Sequence, residues 1–202
     1  MSRLLLLLLG LPLCIQAAPS KGLIRPARLH LNLMNAGIGT PPRFINGRMH
    51  PGLEVGVSKP FARSKKKNRP EVRLLLGYMA QPSLQRAAYL QPGLGYRFRL
   101  YRRLDLIPHL DVALMGVRQT NDGFRYQGNG QYRAEGRWGL QVLPALGLEL
   151  SLRTGKKHES PAICGGYRFG MQLPFSTISS LLPINRLHLG VQFPLSLIHA
   201  AR

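Results

Sequence analysis

Acidic side chains are scarce in this chain. Eight Asp and Glu stand against 28 Lys and Arg in 202 residues, which gives a formal charge of +20 and a pI of about 11.3. A surplus of this size suits an anionic partner such as a phosphorylated lipid or an acidic polymer. The cations are dispersed, however, and Lys65-Lys66-Lys67 is the only dense run. No basic helical face and no nucleic-acid module accompanies them, which argues against a nucleic-acid partner. Cysteine is nearly missing. Cys14 falls in the leader described below, so Cys164 alone cannot close an intrachain disulfide, and a disulfide-stapled scaffold is excluded. There is no Cys/His spacing for zinc. Gly93-Leu94-Gly95 and Gly128-Asn129-Gly130 lack the strand–turn–helix setting of a phosphate loop. Neither a metal nor any other cofactor is expected. Beyond the leader, no apolar run reaches the 18 residues of a membrane-spanning helix.

The leader itself is plain. Met1-Ser2-Arg3 is a short positive region, Leu4–Leu13 is apolar apart from Gly10 and Pro12, and Ile15-Gln16-Ala17 offers a small residue at a cleavage point. Residues 1–17 therefore read as a secretory signal peptide, and 18–202 as one mature domain. Bulky Leu13 before Cys14 argues against lipoprotein processing.

What fills the mature chain is alternation. In Ala88–Val117 one face of the first half carries Leu90, Leu94, Tyr96, Phe98 and Leu100, and the other carries Gln91, Gly93, Gly95, Arg97 and Arg99. After Tyr101-Arg102-Arg103 the pattern resumes. Leu104, Leu106, Leu110, Val112 and Leu114 fall on one side, and Asp105, His109 and Asp111 on the other. Period two with this contrast means two amphipathic strands joined in a hairpin. The same pattern marks strands at Arg28–Leu33, Leu53–Ser58, Glu71–Ala80, Arg133–Leu152, Pro161–Phe175 and Leu187–Leu195. The total is eight, with no convincing helix and no fixed repeat.

Eight alternating strands fit an all-β, antiparallel, up-and-down barrel, which closes on itself and removes its edges. A soluble barrel would turn the apolar faces inward. An outer-membrane barrel turns them outward and fills its lumen with polar groups. The polar faces here mix glycine with bulky charges, which suits a narrow lumen of cross-strand ion pairs. The expected lumen network is Arg97, Arg99, Asp105, His109, Asp111, Arg133, Glu135, Arg137, Glu149 and Arg168. Loops near 35–50, 81–87, 118–132 and 176–185 are on average longer than turns near 60–70, 101–103 and 153–160, as outside loops exceed periplasmic turns. The reading is thus a transmembrane barrel in the outer membrane of a Gram-negative bacterium. Pro92, Pro108, Pro144 and Pro174 lie within proposed strands, where a closed barrel has no free edge for them. They are expected at bulges or beyond the embedded part.

Four segments occur in an order that carries a resemblance: His50-Pro51-Gly52-Leu53-Glu54-Val55-Gly56, Tyr89–Tyr96, Gln172-Leu173-Pro174-Phe175 and Leu181–Gly190. Over about residues 46–195 the chain resembles poorly characterised outer-membrane β-barrel proteins of Bacteroidota. The resemblance implies fold and location and transfers no catalytic residue. Leu187–Phe193 also looks like the terminal strand signal read by the barrel-assembly machinery, although nine residues follow Phe193.

No catalytic residue is assigned. His109, Asp111 and Asp105 share a face that could hold acid–base or metal chemistry, but in so basic a chain they read first as partners for arginine. Lipid A deacylases resemble the chain in fold and size, and place a His and a Ser near the rim. His50, His188 or His199 with Ser58, Ser83 or Ser176 would be the candidates for such a hydrolase. The default reading is a non-enzymatic barrel with a structural, adhesive or ligand-contacting role through its loops. A secreted soluble barrel holding an apolar ligand is the other alternative. Expected partners are outer-membrane lipid, including lipopolysaccharide, and the assembly machinery. Nothing in the sequence sets an oligomeric state.

Overall fold

A computed structural model describes residues 27–39, 50–60, 68–82, 84–120, 123–126, 128–135, 138–155, 160–174 and 180–195. The leader assignment lies outside them. The strands are β1 (Arg28–Ile38), β2 (Pro51–Pro60), β3 (Arg69–Gln81), β4 (Gln85–Arg99), β5 (Leu104–Gln119), β6 (Gly123–Tyr126), β7 (Tyr132–Glu135), β8 (Trp138–Arg153), β9 (Ala162–Gln172) and β10 (Leu182–Pro194). Eight of them close a barrel in the order β1-β10-β9-β8-β5-β4-β3-β2, and β2 pairs back to β1. Every pairing is antiparallel. Among the described residues β6 and β7 pair only with each other, as a hairpin between β5 and β8 in the chain.

The alternation resolves into inside and outside. Leu33, Leu94, Leu110, Leu140, Leu146 and Leu189 are each at least 60% exposed, while Arg97, Arg153, Arg168 and Arg186 are fully buried. A soluble barrel has the opposite polarity, so the soluble alternative fails on this point. On β8 the outward positions from Leu140 to Leu152 are apolar without a break. They rise roughly 30 Å along the barrel axis at ~3.3 Å per residue and a tilt of ~40°. That is enough to cross a bilayer core. β1 and β2 are shorter on this face, with Leu29, Leu31 and Leu33 beside Leu53, Val55 and Val57. The next outward position on β1 is Asn35, whose Oδ1 accepts the His50 amide at 2.7 Å. On β10 the outward-parity residue Asn185 accepts from the Tyr167 hydroxyl and donates to the Gly39 carbonyl.

The prolines are not at bulges. In the β4–β5 ladder Leu90 pairs with Leu114 and Gly93 with Asp111, and the two pairs around Pro92 are skipped with register kept. A second gap, between Gly95–His109 and Phe98–Leu106, contains Pro108. Pro144 pairs with Val112 on one side. On the other side the β8–β9 ladder jumps from Ala145–Gly170 to the bridge Val142–Leu173. Each ring nitrogen withholds a donor from one ladder and leaves the other intact. Pro174 follows the end of β9.

The strand read at Arg133–Leu152 is two strands. β7 belongs to the hairpin, whose turn Gly128-Asn129-Gly130-Gln131 closes through Gln131 N donating to Gly128 O at 3.1 Å. Asn129 and Gly130 both have positive φ, 52° and 75°. These angles are those of a type I′ turn at Asn-Gly, set inside a segment that reads as a polar loop.

Candidate functional site

The lumen is filled in layers. Near the loop end, Gln81, Gln85, Gln141 and Gln172 form a buried amide plug. Gln85 Nε2 donates to Gln172 Oε1 at 2.8 Å and to Gln81 Oε1 at 3.1 Å, and Gln172 Nε2 donates back to Gln85 Oε1 at 3.0 Å and also to Gln141. Beneath it lies an apolar layer that includes Met34, Met79, Met115, Leu143 and Ile184. The polar filling expected of the lumen does not extend through this layer. This end of the lumen is a small hydrophobic core inside a ring of strands.

Charge occupies the middle. Glu54 on β2 receives Arg168 Nη1 at 2.6 Å and the Tyr89 hydroxyl at 2.6 Å on Oε1, and Asn32 Nδ2 at 3.3 Å on Oε2. Arg186 lies 3.6 Å from the same carboxylate and 5.3 Å from the Tyr89 ring centroid. Glu149 on β8 receives Arg73 Nη2 at 3.1 Å and Gln192 Nε2 at 2.6 Å, with His188 Nε2 at 3.3 Å. His109 Nδ1 sits 2.7 Å from Asp111 Oδ2, with Arg168 Nε 3.8 Å from that oxygen. Toward the termini, Arg97 bridges Glu71 at 2.9 Å and Asp105 at 3.2 Å, and Asp105 also pairs with Arg99.

Glycines make room for these groups. A Cβ on Gly147 would strike the His109 ring opposite it, one on Gly93 would strike Asp111, and one on Gly166 would strike His188. The network is therefore written on both strands of each pair, as a large residue facing an empty position.

Of the ten residues expected in the lumen, Arg97, Asp105, His109, Asp111, Glu149 and Arg168 are buried inside the barrel, and Arg99 sits at its edge. Arg133 and Glu135 are not on a barrel strand. They lie on β7, where local pairing around the Asn-Gly turn breaks an otherwise continuous alternation. Arg137 lies outside the described residues. Asp111 is met by His109 and Arg168, while Arg97 and Arg99 converge on Asp105. The expected network left out Glu54, Glu71, Arg73, Arg153 and Arg186, all buried. Their signal was present as inward parity on alternating strands, Glu54 between Leu53 and Val55 being the clearest.

The rim-hydrolase candidates do not assemble among the described residues. His188 and Ser58 are both buried in the lumen, where Ser58 Oγ lies 2.7 Å from His30 Nε2. His50 is engaged through its backbone. Ser83, Ser176 and His199 lie outside the described residues. A Ser–His contact exists, but it is sealed from substrate. Cys164 is buried, with Sγ 3.5 Å from Asn32 Oδ1. No group of three His, Cys, Asp or Glu side chains among the described residues could hold a metal ion.

An apolar exterior, a closed eight-stranded wall and a lumen packed with ion pairs define an outer-membrane-type β-barrel. Known structures agree. The attachment invasion locus protein Ail of Yersinia pestis is similar at a TM-score of 0.51 and 11% identity, over 85% of this chain and 99% of that one. Neisserial surface protein A, NspA, is similar at 0.50 and 10% identity, over 83% of this chain and 96% of that one. The outer membrane enzyme PagL is similar at 0.49 and 9% identity, over 83% of this chain and 99% of that one. At these identities the likeness is one of fold, and the outer membrane is the location that this fold indicates. No protein-family model and no curated protein matches the sequence.

Proposed function

We propose that the protein is a closed, non-enzymatic barrel of the Gram-negative outer membrane that acts through its surface loops in a structural or adhesive role. One observation carries the reading. The lumen is stoppered by amides, apolar side chains and ion pairs, so solutes have no path through it, and contact with aqueous partners falls to the rims. An eight-stranded barrel has an interior only wide enough for its own side chains. The β6–β7 hairpin extends this contact surface beyond the barrel sheet. Ail, named for attachment and invasion, supports a surface role by its similarity of fold.

On this reading the rim meets outer-membrane lipid, including lipopolysaccharide, and the strands pass through the assembly machinery. The resemblance to Bacteroidota barrels supports an envelope of that kind, and Met1–Ala17 supports export by a signal peptide. The hydrolase reading is not favoured, because no accessible Ser–His pair is formed among the described residues.

The test expresses the full chain in a Gram-negative host and compares it with a variant in which a Gly-Ser linker replaces residues 123–135. Both should fractionate with the outer membrane and show heat-dependent gel mobility. Binding of the cells to a panel of host-surface ligands should fall in the variant alone. Recovery of the wild type as a soluble periplasmic protein without detergent would overturn the location. Equal binding by cells with and without the protein would overturn the adhesive role.

A further inference from the structure

Among the described residues, the arginines and carboxylates of the lumen are matched in its middle, while one buried arginine at the mouth nearest the termini stands without a carboxylate. In the middle, Arg73, Arg168 and Arg186 face Glu54, Asp111 and Glu149, a cation for every anion. At the mouth nearest the termini, Arg28, Arg69, Arg97 and Arg153 are all buried, and Arg99 stands at the edge. There Glu71 and Asp105 are the carboxylates that pair with Arg97, Arg99 and Arg153 among the described residues. Both carboxylates are already engaged, since Arg97 holds the pair together at 2.9 and 3.2 Å and Arg99 takes the other oxygen of Asp105. Arg153 reaches Asp105 at 3.9 Å and donates to the Arg102 carbonyl.

Arg69 has neither. It is 5% exposed, its Nε and Nη1 have no hydrogen-bond partner, and it stands opposite Arg97 in the β3–β4 register. Two guanidinium groups on facing positions repel each other, and an unpaired buried charge is strongly unfavourable. Arg28 lies within the electrostatic reach of Arg97, Arg153, Glu71 and Asp105, at the same mouth.

We infer that this mouth is an anion site, in which Arg69 and its arginine neighbours hold a phosphate-type oxyanion presented from the periplasmic side. A guanidinium offers a planar fork matched to two oxygens of such a group, and several forks around one anion give both charge and direction. A carboxylate ligand would satisfy fewer of these donors. Two sources supply the chemistry: free inorganic phosphate, or the phosphodiester headgroup of an anionic lipid of the inner leaflet. The site lies at the opposite end of the barrel from the β6–β7 hairpin and does not depend on the adhesive reading.

The experiment uses the full-length barrel with arginine side chains labelled with nitrogen-15. One arm is nonionic detergent titrated with sodium phosphate against sodium chloride at matched ionic strength. The other is nanodiscs of zwitterionic lipid with or without phosphatidylglycerol. A saturable shift of a buried arginine Nε–Hε signal in either arm supports the site. The detergent arm identifies free phosphate as sufficient, and a response in nanodiscs alone identifies the lipid headgroup. Arg69→Gln should weaken that response about tenfold or more, as expected for losing one charge-assisted pair. Arg118→Gln, on the outward face near the loop end, should leave it unchanged. If neither phosphate nor phosphatidylglycerol produces a saturable shift in the wild type, the proposal is overturned, whether or not Arg69→Gln folds. An undiminished response in folded Arg69→Gln overturns it too.

Discussion

Arg168 and Glu54 meet at 2.6 Å across the lumen, although β9 and β2 are not neighbours in the wall and the residues are 114 apart in sequence. The pair ties opposite parts of the barrel together. Glu54→Leu should therefore do more than remove one contact, because it leaves Arg168, Arg186 and the Tyr89 hydroxyl around a vanished anion. Breaking a buried ion pair costs about 3–5 kcal/mol. Denaturant unfolding in detergent should show a loss of that order, with Glu54→Gln less affected. An unchanged midpoint in Glu54→Leu would mean that the pair adds nothing to stability.

The glycine facing His109 makes a sharper test of lumen packing. Gly147→Val places side-chain atoms where the imidazole lies, and barrel assembly should fail or yield a form that no longer resists SDS at room temperature. Gly139→Val lies on the same strand with nothing within 4 Å of its Cβ position, and should assemble normally. Equal behaviour of the two would contradict the lumen described here.

Proline replacement should act in the other direction. Pro92→Val and Pro144→Val each return an N–H to a ladder that keeps its register around the gap. A restored hydrogen bond contributes about 1 kcal/mol. The temperature at which the folded gel band is lost should rise in both variants, and amide exchange beside the former gap should slow. A fall in that temperature would show that the gaps are needed.

The hairpin turn can be broken separately. Gly130 holds a φ of 75°, which a β-branched residue adopts only with strain. In Gly130→Val the β6–β7 pairing should loosen, and protease added to intact cells should cut there faster, while the barrel keeps its heat-dependent mobility. Loss of the barrel itself would show that the hairpin is part of its folding unit.

Much of this fold was legible because alternation has a single cause. A wall between lipid and lumen forces every second residue to one side, and Leu90 to Leu114 obeys that rule through a whole hairpin. Arg97, Asp105 and Asp111 were readable as inward for the same reason. What alternation leaves open is who meets whom. Glu54 finds Arg168 only once the ring has closed, so no local pattern marks the pair. The misreading of Arg133 and Glu135 has the complementary origin, for a free hairpin alternates as cleanly as a wall strand. Pro92 and Pro144 were misread because an edge-strand rule says little about a ladder that tolerates a missing donor while holding register.

The unequal height of the apolar face has a mechanical consequence. On β8 the lipid-facing wall is tall, and on β1 and β2 it stops after three residues, where Asn35 begins the polar margin. A body with one tall and one short side cannot match a slab of uniform thickness when it stands upright. Either the barrel leans, or the lipid around it is pinched along the short side, at a fraction of a kcal/mol for each ångström of mismatch. Pinched lipid would be thinnest along β1 and β2, beside the seam where the first strand meets the last.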